Sequence, residues 1–409
     1  MKENRYFLTA IGLYINYIVH GIGVIVISQN QNALMANWNT DIKGVGLVIS
    51  MLGIGRLLAI MITGRLSDVF GRKPFVYLGM LTYILFFGGI LFAPNTTVAC
   101  VFAVIAGIAN SCLDSGTYPA LMESFPEHAG TANVLIKAAV QIGQFIFPLI
   151  MGFIIANNMW FGWSFIVPIV AILLNGIFLA RLPFPDEDAK EAADSGEEAV
   201  IQAVQFKSEP KMWLEGVAFV IYGFISQATF YLISQYINQY GQYAAGMSEA
   251  SSNALLSSYS TGSLICVAVT AVLGTKVRSI NLVLPYTFMS LVSIFAMWLW
   301  PTPTVLQIGS ALVGFFAAGG VMQLGLTVMG EMFPSGKGTI TGIFYTFGSI
   351  ASFLIPIIAS RIALPGNATE VTAESIRGIM LFDTGIAAIG FILAIIIFVR
   401  YYQVVDTSK

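Results

Sequence analysis

Apolar stretches long enough to cross a bilayer, each needing about 20 residues, recur along nearly the whole 409-residue chain. No other property of the sequence narrows its fold so far. Composition agrees: 57% of residues are hydrophobic and 10% charged, against about 25% charged in an ordinary soluble domain, and the mean hydropathy is +0.81. A water-soluble globule of this size could not cover its surface with so few charges. The chain therefore reads as an all-α polytopic membrane protein. Lys and Arg number 19 and Asp and Glu 21, for a net charge of −2; without a basic excess to neutralise phosphates, nucleic-acid binding is excluded.

Reading apolar runs punctuated by Gly, Pro, Asn and charge gives twelve spans. They fall near 6 to 28, 43 to 64, 74 to 94, 98 to 122, 131 to 156, 161 to 182, 212 to 237, 249 to 273, 281 to 300, 304 to 329, 339 to 361 and 376 to 400. The first follows MKENR with no small-residue cleavage pattern and is expected to be a retained helix. Residues 183 to 211 form the one long polar interruption, holding Asp186, Glu187, Asp188, Glu191, Asp194, Glu197, Glu198 and Glu209. They read as a solvated acidic linker between an N-terminal bundle, 1 to 182, and a C-terminal bundle, 212 to 409. Outside the spans, all Lys and Arg except Lys43, Arg361 and Arg377 lie on one side when both termini and the linker are cytoplasmic. That is the orientation expected in the cell membrane. Cys100, Cys112 and Cys266 fall inside spans without metal-ligand spacing, and no metal or cofactor is expected.

The two halves repeat each other. Glu123, Phe125, Pro126, Gly130 and Thr131 match Glu331, Phe333, Pro334, Gly338 and Thr339 at one offset of 208 positions, which also carries Pro148 onto Pro356. Parallel repeats around a midplane site are a recurrent transporter design. The loop after the second span reads Gly64-Arg65-Leu66-Ser67-Asp68-Val69-Phe70-Gly71-Arg72-Lys73. It resembles the cytoplasmic signature of the major facilitator superfamily, Gly-x-Leu-Ala-Asp-Arg-x-Gly-Arg-Lys, with Val69 in place of the usual Arg. The resemblance implies two pseudo-symmetric six-helix bundles, alternating access, and a cavity lined by the first, fourth, seventh and tenth helices. It further implies a cytoplasmic latch in which Gly64 and Gly71 permit the turn while Asp68, Arg72 and Lys73 hold the halves closed. The stretch from Gly274 to Arg278 in the second half is degenerate, so the latch is expected to be asymmetric. Two other motifs of that family are weak here: Ala103 stands four residues before Gly107, where proton-coupled members often carry Arg, and Phe147 precedes Pro148, where drug antiporters often carry Gly.

Ionisable groups deep in a span are costly unless paired or wet, so they mark a substrate or ion path. Arg56 precedes Gly64 by eight residues, about 12 Å, which puts it near the middle of the second span. Lys137 lies about 9 Å from the cytoplasmic end of the fifth span, close enough for its stem to snorkel. In the fourth span Asp114 shares a face with Asn110, Thr117 and Tyr118, and is the expected proton-coupling group. Asn16, Tyr17 and His20 share a face of the first span. Gln227, Tyr231, Ser234 and Asn238 make a polar stripe on the seventh, which is either cavity lining or interhelical glue. Gln323 and Tyr345 complete the candidate substrate-binding set from the second half, while Glu215 and Asp383 read as interfacial.

Two cations, Arg56 and Lys137, against one anion, Asp114, leave one positive charge unbalanced. An anionic substrate supplies the missing charge, and a guanidinium fork suits a carboxylate. The expectation is a monomeric carrier of a small organic anion, such as a hydroxy or aromatic acid, driven by proton symport, with anion exchange as the other coupling left open. Alternatives are a multidrug or lipid exporter working by proton antiport, and a neutral sugar or polyol symporter. There is no phosphate-binding Gly-x-x-x-x-Gly-Lys-Ser/Thr motif for ATP drive, no catalytic constellation for an enzyme, and no appended signalling domain for a sensor.

Overall fold

A computed structural model describes residues 5–125, 129–185, 206–273, 277–333, 337–366, 368 and 370–405. Helices stand at all twelve expected span positions. Among the described residues, eleven are long and apolar enough to cross a membrane, and the eighth position is filled by two consecutive helices. The described chain divides into two compact units, residues 1–197 and 198–409. Most of the acidic linker, residues 186–205, lies outside the described residues.

The first unit comprises α1 (Phe7–Gln29), α2 (Gln31–Trp38), α3 (Ile42–Phe70), α4 (Arg72–Phe92), α5 (Thr96–Ser124), α6 (Ala129–Ala156) and α7 (Trp163–Ala180). α5 packs against α3 and α4, and α1 packs against α6 and α7. Side chains satisfy orphan amides at helix starts: Asp41 accepts from Gly44 N at 3.0 Å and Asn95 from Val98 N at 3.0 Å. The short α2 interrupts a stretch that the sequence reading left as a loop. It ends at Asn39, whose φ of 49° is the left-handed conformation that Asn tolerates at a C-cap. Between α3 and α4 the turn passes through Gly71 at φ 97°, a conformation that penalises any side chain.

The second unit comprises α8 (Val217–Ala245), entered through a π turn at Met212–Gly216, then α9 (Glu249–Asn253), α10 (Leu255–Leu273), α11 (Ser279–Leu299), α12 (Pro303–Val313), a π-helical segment Gly314–Val321, α13 (Met322–Met332), α14 (Lys337–Ala363) and α15 (Ala373–Val404). α8 packs against α14 and α15, and α10 packs against α12 and the π segment. Phe219, Tyr222, Cys266, Val283, Met329 and Phe344 form part of one buried apolar cluster. Leu58, Ile62, Phe153, Leu174 and Ile177 are exposed, as lipid contact requires.

Glycines set the closest approaches, and they reveal the repeat a second time. A Cβ on Gly55 would lie 2.0 Å from Val104 O, and one on Gly107 would lie 2.2 Å from Leu52 O, so α3 and α5 touch backbone to backbone. In the second unit a Cβ on Gly262 would lie 1.9 Å from Ala311 O, and one on Gly314 would lie 1.8 Å from Tyr259 O. Gly55 to Gly262 and Gly107 to Gly314 are both steps of 207, one fewer than the 208 separating Glu123 from Glu331. The second unit has therefore gained one residue between Gly314 and Glu331. The π segment occupies that interval: its i→i+5 turns hold one residue more than α-helical turns. The helix widens locally, leaving both of its ends in register with their partners.

Candidate functional site

The contact of Gly55 with Gly107 decides where the buried charges meet. Arg56 follows Gly55 and lies against α5, where its carbonyl accepts from Ser111 Oγ at 3.3 Å. Asp114 stands seven residues beyond Gly107, two turns along the same face. The Arg56 side chain spans the interval, placing Nη2 3.1 Å from Asp114 Oδ2. Both groups are partly exposed, at 28% and 14% of their side-chain surface. Tyr17 of α1 donates its hydroxyl to Asp114 Oδ1 at 2.7 Å. Asn110, one turn below Asp114, reaches it as well: with the amide turned so that its nitrogen faces the carboxylate, it donates to Oδ2 at 3.2 Å and to Oδ1 at 3.3 Å. Arg56, Tyr17 and Asn110 thus converge on one carboxylate.

Aromatic rings continue the cluster. Tyr17 meets Tyr118 edge to face at a centroid distance of 6.1 Å and meets His20 at 5.7 Å. His20 is hydrogen-bonded through Nδ1 to the Tyr83 hydroxyl, and Tyr83 sits on α4 among Phe86 and Phe87. Sequence reading missed Tyr83, because the span from 74 to 94 holds no charged or amide side chain to draw notice to it. It also missed a ladder between α3 and α5, in which Ser115 Oγ donates to Thr63 Oγ1 at 2.9 Å and Ser67 Oγ to Ser115 O at 2.8 Å. Hydroxyls four apart on both helices were the available sign.

Other candidates lie elsewhere. Asn16 was expected to join Tyr17 and His20, but its Oδ1 accepts from Asn175 Nδ2 of α7 at 2.7 Å, and the same nitrogen reaches Gly12 O at 2.8 Å. One residue is a 100° step around a helix, enough to turn Asn16 toward α7 while Tyr17 faces Asp114. Lys137 is half-buried on α6. On α8, Gln227 donates to Ser352 Oγ of α14 at 3.0 Å. Tyr231 is buried, Ser234 Oγ bonds back to Tyr231 O at 2.8 Å, and Asn238 reaches Asn253 Oδ1 at 3.3 Å. Two of these four polar groups thus tie helices together. Tyr345 is half-buried, its ring edge-on to Phe344, and the Gln323 side chain lies outside the described residues.

In the loop motif, Arg72 donates to Ser67 Oγ at 3.1 Å and pairs with Glu123 at 3.2 Å. Lys73 Nζ caps the end of α7 through Ala180 O at 3.3 Å and Leu182 O at 3.2 Å, above the Phe184 ring. These contacts fasten the loop within the first unit. A Cβ on Gly64 would meet nothing within 4 Å, so the turn does not require glycine there; the Asp68 side chain lies outside the described residues. In the second unit Glu331, the repeat of Glu123, bonds the Tyr401 hydroxyl at 2.9 Å and interacts electrostatically with Arg278. Arg278 thus acts on the repeat of Glu123 much as Arg72 acts on Glu123 itself.

Glu215, at the start of the seventh span, is buried against Arg400 Nε at 2.9 Å. Asp383 departs from the interfacial reading: it is fully buried within α15. A long helix that begins at Ala373 leaves it ten residues from the end, about 15 Å inside.

Twelve helical span positions, two repeated units and a partly exposed ion pair inside one of them define a polytopic membrane transporter. The chain belongs to the Major Facilitator Superfamily, whose model matches residues 13–356. It is 47% identical over 400 residues to the inner membrane transport protein YdiM of Escherichia coli K12, covering 97% of this chain and 95% of that protein. It is 23% identical over 348 residues to the gentisate transporter of Corynebacterium glutamicum, covering 84% and 78% of the two chains. Its fold matches the crystal structure of a D-xylose-proton symporter with a TM-score of 0.77 at 14% identity, over 98% of each chain. The protein is accordingly a multi-pass transporter working by alternating access, not an enzyme.

Proposed function

We propose that this carrier moves a small organic carboxylate together with a proton, and that Arg56 and Asp114 are the exchange point between the two. The observation that carries the reading is the 3.1 Å pair of Arg56 with Asp114, capped by the Tyr17 hydroxyl at 2.7 Å. An ionised Asp114 occupies the guanidinium fork that a substrate carboxylate would use. A proton on Asp114 cancels that competition, and the freed fork accepts the incoming anion bidentately. Proton and anion then bind as an electrically neutral pair, which is the thermodynamic content of symport. Lys137 adds positive potential on the same unit, and His20, Tyr118 and Asn110 supply orienting groups for an organic body.

The substrate class proposed is a hydroxylated or aromatic acid. Likeness to a gentisate transporter supports it, as do the tyrosines around Asp114, whose rings suit an aromatic face. Both termini are proposed to be cytoplasmic on the distribution of Lys and Arg, in a monomer of the cell membrane. Proteoliposomes with an imposed pH gradient and radiolabelled gentisate, with xylose and a lipophilic cation as controls, test the whole reading. Gradient-driven gentisate uptake that is lost in Arg56→Ala supports it. Transport of the sugar or the cation that survives Arg56→Ala overturns it.

A further inference from the structure

The second unit holds an acid for which neither sequence nor mechanism has a use. Asp383 is 0% exposed, and neither carboxylate oxygen has a hydrogen-bond partner among the described residues. From α8 the Thr229 hydroxyl is the donor that faces it. From α10 the facing group is Tyr259, whose hydroxyl is committed to Phe230 O at 3.2 Å. The cation nearest along its own helix, Arg377, stands six residues, about 9 Å, away and donates to Trp298 O at 3.1 Å. From α11, which also packs on α15, the polar side chains on this side are Thr287 and Ser290, neither charged. An ionised carboxylate enclosed in this way, with a single hydroxyl and no cation facing it, would cost many kcal/mol.

One helical turn beyond Asp383, Ala387 and Gly390 wall a small cavity whose polar lining is Tyr222, Ser226, Thr229, Thr287 and Ser290. Its space, about 20 Å³, suits a water molecule with several polar neighbours. Thr229 belongs to both places: it lines the cavity and faces the acid. On α8, Tyr222, Ser226 and Thr229 are spaced four and three apart, so their hydroxyls run along one face toward Asp383.

We propose that Asp383 is a proton-binding site of the second unit, neutral in the state seen here, which exchanges its proton with water in the adjoining hydroxyl-lined cavity through Thr229. The O–H bond of the carboxyl breaks to leave a carboxylate, and the proton passes to cavity water as hydronium; loading is the reverse. Asp383 lies in the unit that lacks Asp114, on the twelfth span, while Thr229 and the hydroxyl-lined cavity connect it to the seventh. It stands independently of the proposed anion, and of whether Asp114 carries a coupling proton.

Infrared spectroscopy of the purified, detergent-solubilised protein tests it without any substrate. A protonated carboxyl gives a C=O stretching band separate from the amide and carboxylate bands. At neutral pH that band should persist in Asp114→Asn, disappear in Asp383→Asn, and shift to lower frequency within minutes of transfer to D₂O. Thr229→Val should change its frequency and slow the D₂O shift at least tenfold; this variant serves if Asp383→Asn fails to fold. Loss of no C=O band in Asp383→Asn overturns the proposal, as does a band that never shifts in D₂O, or a carboxylate band at this position that responds to sodium. Failure of gentisate uptake would leave these bands unaffected, and their absence would leave uptake unaffected, so the two readings fail separately.

Discussion

Asp114→Asn gives the sharpest test of the exchange between proton and anion. The amide keeps the shape of the carboxyl and can still receive the Tyr17 hydroxyl, now 2.7 Å away, so the site should stay folded. What it removes is the charge held 3.1 Å from Arg56. A charge-assisted hydrogen bond contributes about 1.5–3 kcal/mol net, and in the wild type an arriving anion must displace it. Without it, affinity for gentisate should rise by about 10- to 150-fold. Linkage adds a second signature. If the wild type takes up one proton per anion, its affinity falls about tenfold for each unit of pH above the point where Asp114 ionises, whereas that of Asp114→Asn stays flat. Equilibrium binding of radiolabelled gentisate to purified protein, over a pH range in which its own carboxyl is ionised, reads both effects. Gradient-driven accumulation should be abolished although binding is tighter. Equal or weaker binding by Asp114→Asn, or the wild-type slope persisting in the variant, would refute the exchange mechanism.

Other expectations follow from particular contacts. Gly107→Ala places a methyl about two ångströms from the backbone of α3 and should cost about 1–3 kcal/mol, lowering the thermal midpoint of purified protein, whereas Gly64→Ala, with open space around it, should not. Arg400→Ala leaves Glu215, 3% exposed, buried without its cation at a cost of about 3 kcal/mol; adding Glu215→Gln should restore most of the lost thermal stability. Deleting Ala317 from the π segment should yield a folded protein of near wild-type thermal stability, because the remaining residues fit an α-helix. Deleting Ala109 from α5, where no spare residue exists, should abolish expression of folded protein as judged by size-exclusion chromatography.

Much of the architecture was legible because hydrophobic length and periodicity are local properties. Span ends came out within a few residues where a capping side chain marked them, as at Asn95, whereas α3 runs six residues past its expected end at 64 to reach Gly71. The short α2 was not visible, since Gln31 to Trp38 has no apolar period and depends on the left-handed Asn39 to end it. The Arg56 and Asp114 pair was legible as chemistry, because charge in a span has few explanations, but its geometry depends on Gly55 and Gly107, whose meaning is tertiary. Asn16 went astray for a rotational reason: three residues counted as one face span enough angle to serve two neighbours. Asp383 was misplaced because the span was read as starting at 376, only seven residues before it, whereas α15 runs 32 residues from Ala373.

The two units share a scaffold and differ in what it carries. Gly55 with Gly107, and Gly262 with Gly314, lock corresponding helix pairs at the same depth, so the frame of one is the frame of the other. Beyond that lock the first unit keeps a regular helix that aims Asp114 at Arg56. The second unit places one extra residue in that interval, and the π segment absorbs it by widening the helix, so that the helix beyond it keeps the register of its partner. Ser263 stands where the Gly55 to Gly262 step would carry Arg56, and Val321 or Met322 stands where Asp114 would be. With both charges missing and the wall widened by the π segment, the second unit cannot repeat the anion site, yet it buries a carboxyl of its own on a different helix. Duplication thus accounts for the common frame, and a single inserted residue together with two lost charges accounts for chemistry on one side only. If the insertion is what separates the halves, the Ala317 deletion carrying Ser263→Arg and Met322→Asp should rebuild an Arg–Asp pair in the second unit, seen as positive coupling in a double-mutant cycle of thermal stability. Additive effects of the two substitutions in that background would show that the scaffolds diverge by more than one residue.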